Sequence, residues 1–255
     1  MLLILAPSKT QKCLHRDSLP HSQPALLKKT LYLADHLKSL SKTELSRLMK
    51  ISDKLTGETY QRIHNFLPPL SITTACQAIF TFQGDAYSQL SPESYSEEEL
   101  LYAQDHLRIL SGLYGVLRPL DLMFPYRLEM GAKMITPAAE NLYRYWSDSP
   151  TEAINSSLAK TDSPKLVNLA SAEYFKVINR KKLQGEVITI VFRQKRNGVD
   201  KTIPIYSKKA RGLMVHFAIG NQIKNVEDLK LFNLDGYSYR SDESTEDVWL
   251  FKREE

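Results

Sequence analysis

The stretch Gln104 to Gly131, QDHLRILSGLYGVLRPLDLMFPYRLEMG, decides how the chain is read. It threads Arg108, Arg118, Arg127, Asp121 and Glu129 through large apolar residues, with Gly112, Gly115, Gly131, Pro119 and Pro125 as punctuation. Such a segment is too apolar for the surface, and charges carried inside must be paired or must face a ligand. Its beginning is legible. Ser96 stands three residues before Glu99, a capping box, and apolar residues then recur at Leu100, Ala103, Leu107, Leu110 and Tyr114. That stripe predicts a helix, weakened toward Gly112 and Gly115, with Arg108 at its edge. Arg118 precedes Pro119 and is pushed toward extended backbone. Tyr126 to Met130 alternates apolar and polar, which predicts a short strand with Arg127 and Glu129 on one face. Arg118 with Asp121, and Arg127 with Glu129, are then pairs that brace the segment.

Outward from this stretch, 255 residues suffice for one large core, and 42% hydrophobic with 25% charged residues is ordinary for a soluble globular protein. Lys and Arg number 34 against 29 acids, a net charge of +5, which permits a polyanionic partner without requiring one. Cys13 and Cys76 are too few and too far apart for a zinc knuckle or a disulfide framework. Leu2 to Ala6 is too short for a signal peptide, and no window approaches the roughly 20 apolar residues of a membrane span. The expected address is the cytoplasm.

No repeat, low-complexity tract or long linker divides the chain, so residues 1–255 are expected to form one compact α/β mixed (α+β) domain. Leu2–Ala6 reads as a buried strand and Ala25–Leu40 as a helix. Ser41 and Glu44 make a second capping box opening a helix with Leu45, Leu48 and Met49 inward. The pattern breaks around Ser52–Gly57, and a further helix carries Tyr60, Ile63 and Phe66 until Pro68-Pro69. Two short helices joined by a glycine-containing turn, about residues 41–67, resemble a helix-hairpin-helix, a motif that grips DNA without reading sequence. The glycine here is Gly57, one place later than usual after Leu55. Amide groups at the second helix's start would favour phosphate, with Lys54 and Arg62 adding charge; the plainer reading is a packed helical pair. Toward the carboxyl end, Leu166–Ala170, Val187–Phe192 and Lys201–Tyr206 read as strands, with Asn197-Gly198 as a hairpin turn. Leu213 to about Ile219 reads as a helix, and Tyr237/Tyr239 with Val248–Phe251 as a closing hairpin.

Three of these strands leave in the same way. Leu2–Ala6 exits into Ser8-Lys9, Leu166–Ala170 into Ser171 through Lys176, and Lys201–Tyr206 into Ser207-Lys208-Lys209-Ala210-Arg211. Ligands gather beyond the carboxyl ends of strands in open α/β sheets, so these exits could converge on one positively charged cleft suited to phosphate. Serine also caps helices and lysine commonly lies in solvent, which is the plainer reading of any single exit. Convergence needs parallel strands, and the hairpin makes the sheet mixed, so Lys201–Tyr206 could deliver Ser207 to the opposite edge.

The run LRILSGLYGVLRPLDLMFPYRLEMG, together with APSKT, LMKISDKL, FQGDAYSQL, NLASAEYFK, YSKKARGLM and FNLDGYSY in one order, resembles the YaaA family of peroxide stress resistance proteins over nearly the whole chain. The resemblance implies an unusual fold with a positively charged cleft. It also implies a role in the hydrogen peroxide stress response, with lowered free iron. Together with the residues above it leads us to expect sequence-nonspecific binding of double-stranded DNA. The expected contacts are Lys54 and Arg62 at the hairpin, and Lys9, Arg118, Arg127, Lys176, Lys208, Lys209 and Arg211 along the cleft.

Other chemistries find little purchase. The six histidines sit in no triad motif, no Glu-x-x-His pair suggests a di-iron centre, and no Walker loop or GxGxxG appears. No cofactor and no metal are expected. An enzyme acting on a nucleobase or nucleotide stays open, with Lys176, Lys208 or Lys209 acting beside Glu173, Asp85 or Glu129. So does an iron-handling regulatory partner without a nucleic-acid role.

Overall fold

The apolar run at the amino terminus is a central strand. In a computed structural model describing residues 1–161, 163–196 and 198–254, β1 (Leu2–Leu5) is fully buried between β3 (Leu107–Ser111) and β6 (Lys165–Leu169). It is parallel to both, and Leu3 faces Leu107 on one side and Val167 on the other. The eight-stranded sheet runs β4 (Gly115–Leu117), β3, β1, β6, β7 (Glu186–Arg196), β10 (Val248–Arg253), β9 (Tyr237–Tyr239), with β8 (Val199–Lys201) paired to β7 off that path. Strands β3, β1, β6, β7 and β10 run parallel, while β4, β8 and β9 are antiparallel additions. The fold is the expected mixed α/β domain. Its central strands are continuous hydrophobic runs because no face is left to solvent. A separate pair, β2 (Cys76–Gln77) and β5 (Leu122–Met123), lies apart from this sheet.

The longer helices are α1 (Leu27–Ser39), α2 (Lys42–Met49), α3 (Asp53–His64), α6 (Glu97–His106), α8 (Ser149–Leu158) and α10 (Pro204–Gly220). Shorter ones are α4 (Ala78–Thr81), α5 (Tyr87–Leu90), α7 (Leu142–Trp146) and α9 (Ala172–Phe175). Both capping boxes form: Ser41 and Glu44 open α2, and Ser96 and Glu99 open α6, each reciprocally.

Several expectations change. The helix from Glu97 stops at His106, and Leu107, Leu110 and Tyr114 belong to the strand and turn that follow. A short, mostly apolar segment suits either element, and here β1 supplies a ladder partner that the local stripe cannot reveal. Among the described residues Tyr126–Met130 joins no strand, and Met130 already lies in a turn. The alternation itself is present: Tyr126, Leu128 and Met130 are buried while Arg127 and Glu129 are partly exposed. Lys201–Tyr206 is not a strand. β8 ends at Lys201, and α10 begins at Pro204, so Ser207, Lys208, Lys209 and Arg211 are helical. Proline at the first helical position needs no amide partner, which fixes that start. Between α2 and α3 the turn is Lys50-Ile51-Ser52, with Lys50 in the left-handed conformation, and Gly57 lies inside α3. The Asn197-Gly198 hairpin falls partly on Asn197, outside the described residues; β7 and β8 pair antiparallel on either side of it. Finally, Cys13 and Cys76 are joined in a disulfide although 63 positions separate them. Sequence distance says little here, because the loop after β1 folds back along α4: Lys12 N–H donates to the Thr81 carbonyl and Gln83 N–H to that of Thr10, each at 2.9 Å.

Candidate functional site

The loop after β1 is held by Gln11, a buried residue that reaches both ways. Its Nε2 donates to the Ser8 carbonyl at 3.0 Å, and its Oε1 accepts the Tyr126 N–H at 2.7 Å. Lys9 and the segment 127–129 are thereby set side by side at the carboxyl edge of the parallel strands. Gly112, just past β3, allows the segment to come this close: a Cβ there would stand 2.2 Å from the Leu128 carbonyl oxygen. The Gly112 carbonyl in turn accepts the indole N–H of fully buried Trp146 at 3.0 Å. At the neighbouring exit, that of β6, Glu173 on α9 accepts the Gly131 N–H at 2.8 Å. Two of the three strand exits therefore meet, through β1 and β6.

They meet at a cavity of about 710 Å3 whose other wall is α1, α2 and the turn after α2. Lys9, Arg47, Lys50, Arg127 and Lys133 line it, against Glu44, Glu129 and Glu173, with His36 and the side chains of Leu40, Leu48, Met49, Met134 and Ile135 between them. The glutamates are committed. Glu44 serves the α2 cap, and the Ser41 hydroxyl, followed by its amide, holds the Glu44 carboxyl below its usual range. Glu173 holds the Gly131 amide, and Glu129 pairs with Lys9 at 2.8 Å and more loosely with Arg127 at 3.7 Å. The arginine is not: the Arg127 side chain is 19% exposed, and its buried Nε has no hydrogen-bond partner among the described residues. The guanidinium lines the cavity and is only loosely paired, although its Nε is itself closed to solvent as the side chain stands.

A second cavity, of about 570 Å3, opens at the opposite edge of the sheet beside Met1, His106 and the start of β3. Arg118 lines this one, since antiparallel β4 carries it back to the amino ends of the parallel strands. Its Nη2 donates to buried Asp121 Oδ1 at 2.8 Å and to the Gln23 carbonyl at 3.0 Å. Arg108, also here, spends its guanidinium on Ser157 Oγ and on the Gln104 and Leu107 carbonyls. Burial, with Arg118 adding to it, pulls the Arg108 pKa down to about 10.

The structure thus disperses the expected contacts. Lys9 and Arg127 share the first cavity, and Arg118 lines the second. Exposed Lys54 and partly exposed Arg62 lie on α3, which does not line the first cavity. Lys176 is exposed, its Nζ 4.9 Å from the centre of the Tyr143 ring. Lys209 lines a third cavity, with Tyr206 and Arg253, while Lys208 is exposed. Arg211 is partly buried, its Nε is unpartnered among the described residues, and desolvation lowers its pKa. Ser207 Oγ donates to the Phe192 carbonyl, so it serves the packing of α10 on β7. Sequence reasoning missed Arg47, Lys50 and Lys133. Arg47 lies in the last turn of α2 and Lys50 caps that helix, so the available signal was two basic residues three apart at a helix end.

Fold and site define a mixed α/β protein whose parallel strand ends frame a cation-rich cavity. The peroxide stress protein YaaA family matches residues 1–243, and the chain belongs to that family. It is 44% identical over 259 residues to a UPF0246 protein of Shewanella baltica (strain OS185), covering all of both chains. It is also 44% identical to a UPF0246 protein of Acaryochloris marina over 253 residues, covering 99% of this chain and all of the other. Family membership supports a role in the peroxide stress response. Among the described residues no helix is long and apolar enough to cross a membrane.

Proposed function

We propose that this chain serves the peroxide stress response in the cytoplasm by gripping the backbone of double-stranded DNA without reading its bases. Protection of DNA and lowered free iron would belong to the same response. The observation that carries the reading is Arg127, held largely buried at the cavity wall with an unspent Nε, among Lys9, Arg47, Lys50 and Lys133. Five cations meet three glutamates that already have internal duties, so an incoming phosphate finds donors and little repulsion. Helix α2 lines this cavity and α3 packs against α2, so Lys54 and Arg62 on α3 would extend the contact beyond the cavity.

The test is binding of a labelled duplex by fluorescence anisotropy across a salt series. The logarithm of affinity should fall linearly with the logarithm of salt, and affinity should not change when the duplex sequence is scrambled. Absence of binding at low salt, or a strong sequence preference, would remove the proposal.

A second reading is favoured by one observation. Lys9 and Glu129 form a lysine–acid pair at 2.8 Å in a cavity within the size range of small-molecule sites. An enzyme acting on a nucleobase or nucleotide would use such a pair for proton transfer. Saturable binding of a mononucleotide, abolished by Glu129→Gln while duplex binding persists, would favour this reading.

A further inference from the structure

Cys13, His15 and Cys76 stand apart from the cavities, in the loop after β1 and on β2. Their ligand atoms, the two Sγ and a ring nitrogen of His15, all lie within 4.8 Å of one another. The imidazole is oriented. Its Nδ1 lies 3.3 Å from the Ile72 carbonyl, with an Asp17 carboxylate oxygen at 3.9 Å, while Nε2 points toward Cys13 Sγ at 3.7 Å. One ring nitrogen held by a backbone carbonyl, the other turned to a cysteine sulfur, is how a metal-binding histidine is normally set. Ligands of tetrahedral zinc, at bond lengths of about 2.0–2.3 Å, stand roughly 3.5–3.8 Å apart. Nε2 and Cys13 Sγ already have that spacing, and cleavage of the disulfide frees the sulfurs to take it. The His15 side chain is 47% exposed and Cys13 is partly exposed, so an ion has a way in and a water can fill the fourth position.

We propose that Cys13, Cys76 and His15 form a redox-gated site for a soft divalent cation of the zinc class. The reduced chain binds the ion through two thiolates and the His15 Nε2, releasing the two thiol protons. The disulfide is the oxidised, metal-free state. Hydrogen peroxide connects the two: the thiolates lose two electrons and form the S–S bond, the peroxide O–O bond breaks, and two protons complete two waters as the cation leaves. The arrangement gives the chain a direct response to peroxide that is independent of any grip on DNA. Disulfides that form in reducing compartments are usually transient and serve catalysis or redox sensing.

The full-length chain, reduced and desalted without oxygen, is titrated with Zn2+ against a chromophoric chelator, and Co2+ is used in parallel for its absorption spectrum. The expected result is one zinc per reduced chain and none at this site in the oxidised chain, with a sulfur-to-cobalt charge-transfer band. Hydrogen peroxide should release the zinc as two free thiols disappear. Cys13→Ser should abolish the charge transfer from one sulfur. His15→Gln should weaken zinc binding by more than the roughly 10–100-fold that losing an outer partner costs. Failure of the reduced chain to bind zinc overturns the proposal, as does equal binding by oxidised and reduced chain. So does zinc binding unchanged in His15→Gln. The oxidised-against-reduced comparison needs no variant and stands even where Cys13→Ser disturbs folding.

Discussion

The two edges of the parallel strands both carry arginines, and they treat them differently. At the amino edge Arg108 and Arg118 are absorbed by the protein: Ser157 and two carbonyls take one guanidinium, Asp121 and the Gln23 carbonyl the other. At the carboxyl edge Arg127 has a 3.7 Å pairing with a glutamate shared with Lys9, and an Nε with no partner among the described residues. A cation satisfied internally is a brace, and one left partly unsatisfied at a cavity wall is available to a ligand. Burial alone does not separate these roles; the hydrogen-bond inventory does.

The largest expected effect belongs to the amino edge. Asp121, almost wholly buried, also accepts from Ser22 Oγ at 2.7 Å and from the Arg118 backbone N–H at 2.8 Å. Asp121→Ala leaves a guanidinium and several donors without their acceptor, and chemical denaturation should show a loss of about 3–5 kcal/mol. Stability within about 0.5 kcal/mol of wild type would mean that the amino-edge arginines are not braces. Next comes Gly112→Ala, whose new Cβ would meet the Leu128 carbonyl oxygen at 2.2 Å. Backbone must shift, so a cost of about 1–3 kcal/mol is expected together with weakened duplex binding, because Arg127 rides on the displaced segment. Loss of stability with binding intact would separate Arg127's position from its role.

Arg127→Ala sharpens the contrast from the other side. Its loose pairing predicts a smaller stability loss than Asp121→Ala, about 1–2 kcal/mol, with duplex affinity reduced about tenfold. A loss as large as that of Asp121→Ala with affinity retained would make Arg127 a brace like the others. The smallest effect is electrostatic. Burial, opposed by a hydrogen bond to the Met1 carbonyl, depresses the pKa of His106 at the amino edge. The unfolded chain then takes up a proton near pH 6.5 that the folded chain resists, so stability should fall modestly as pH drops below that value. Unfolding curves of His106→Gln should be flatter over the same window; identical pH dependence would show that another group carries the effect.

Much of the architecture was legible. Both capping boxes form because Ser41 with Glu44, and Ser96 with Glu99, satisfy each other locally, with no help from distant residues. The Leu2–Leu5 and Lys165–Leu169 strands were readable as short apolar runs, and their exits meet because β1 and β6 are parallel neighbours. What failed needed non-local information. Leu107 is a strand residue because β1 lies beside it, and Ser207 to Arg211 are helical because Pro204 starts α10 before the ladder can continue. Arg118 and Arg127, nine positions apart in one motif, face opposite edges because β4 turns the chain back before Tyr126 crosses to the Gln11 side. The cavity's α2 wall was invisible for the same reason: nothing near Arg47 says that Lys9 faces it.

The central claim is that the carboxyl-edge cavity, and not the amino-edge one, receives the phosphate backbone. It is tested most directly by duplex anisotropy over a salt series for two double variants, Lys9→Ala with Arg47→Ala, and Lys160→Ala with Lys224→Ala. Each pair lines one cavity, and each removes two positive charges. The account predicts that the first pair weakens binding on every sequence and flattens the salt slope by about two, while the second leaves both unchanged. The opposite outcome, or an equal loss from both pairs, would contradict it.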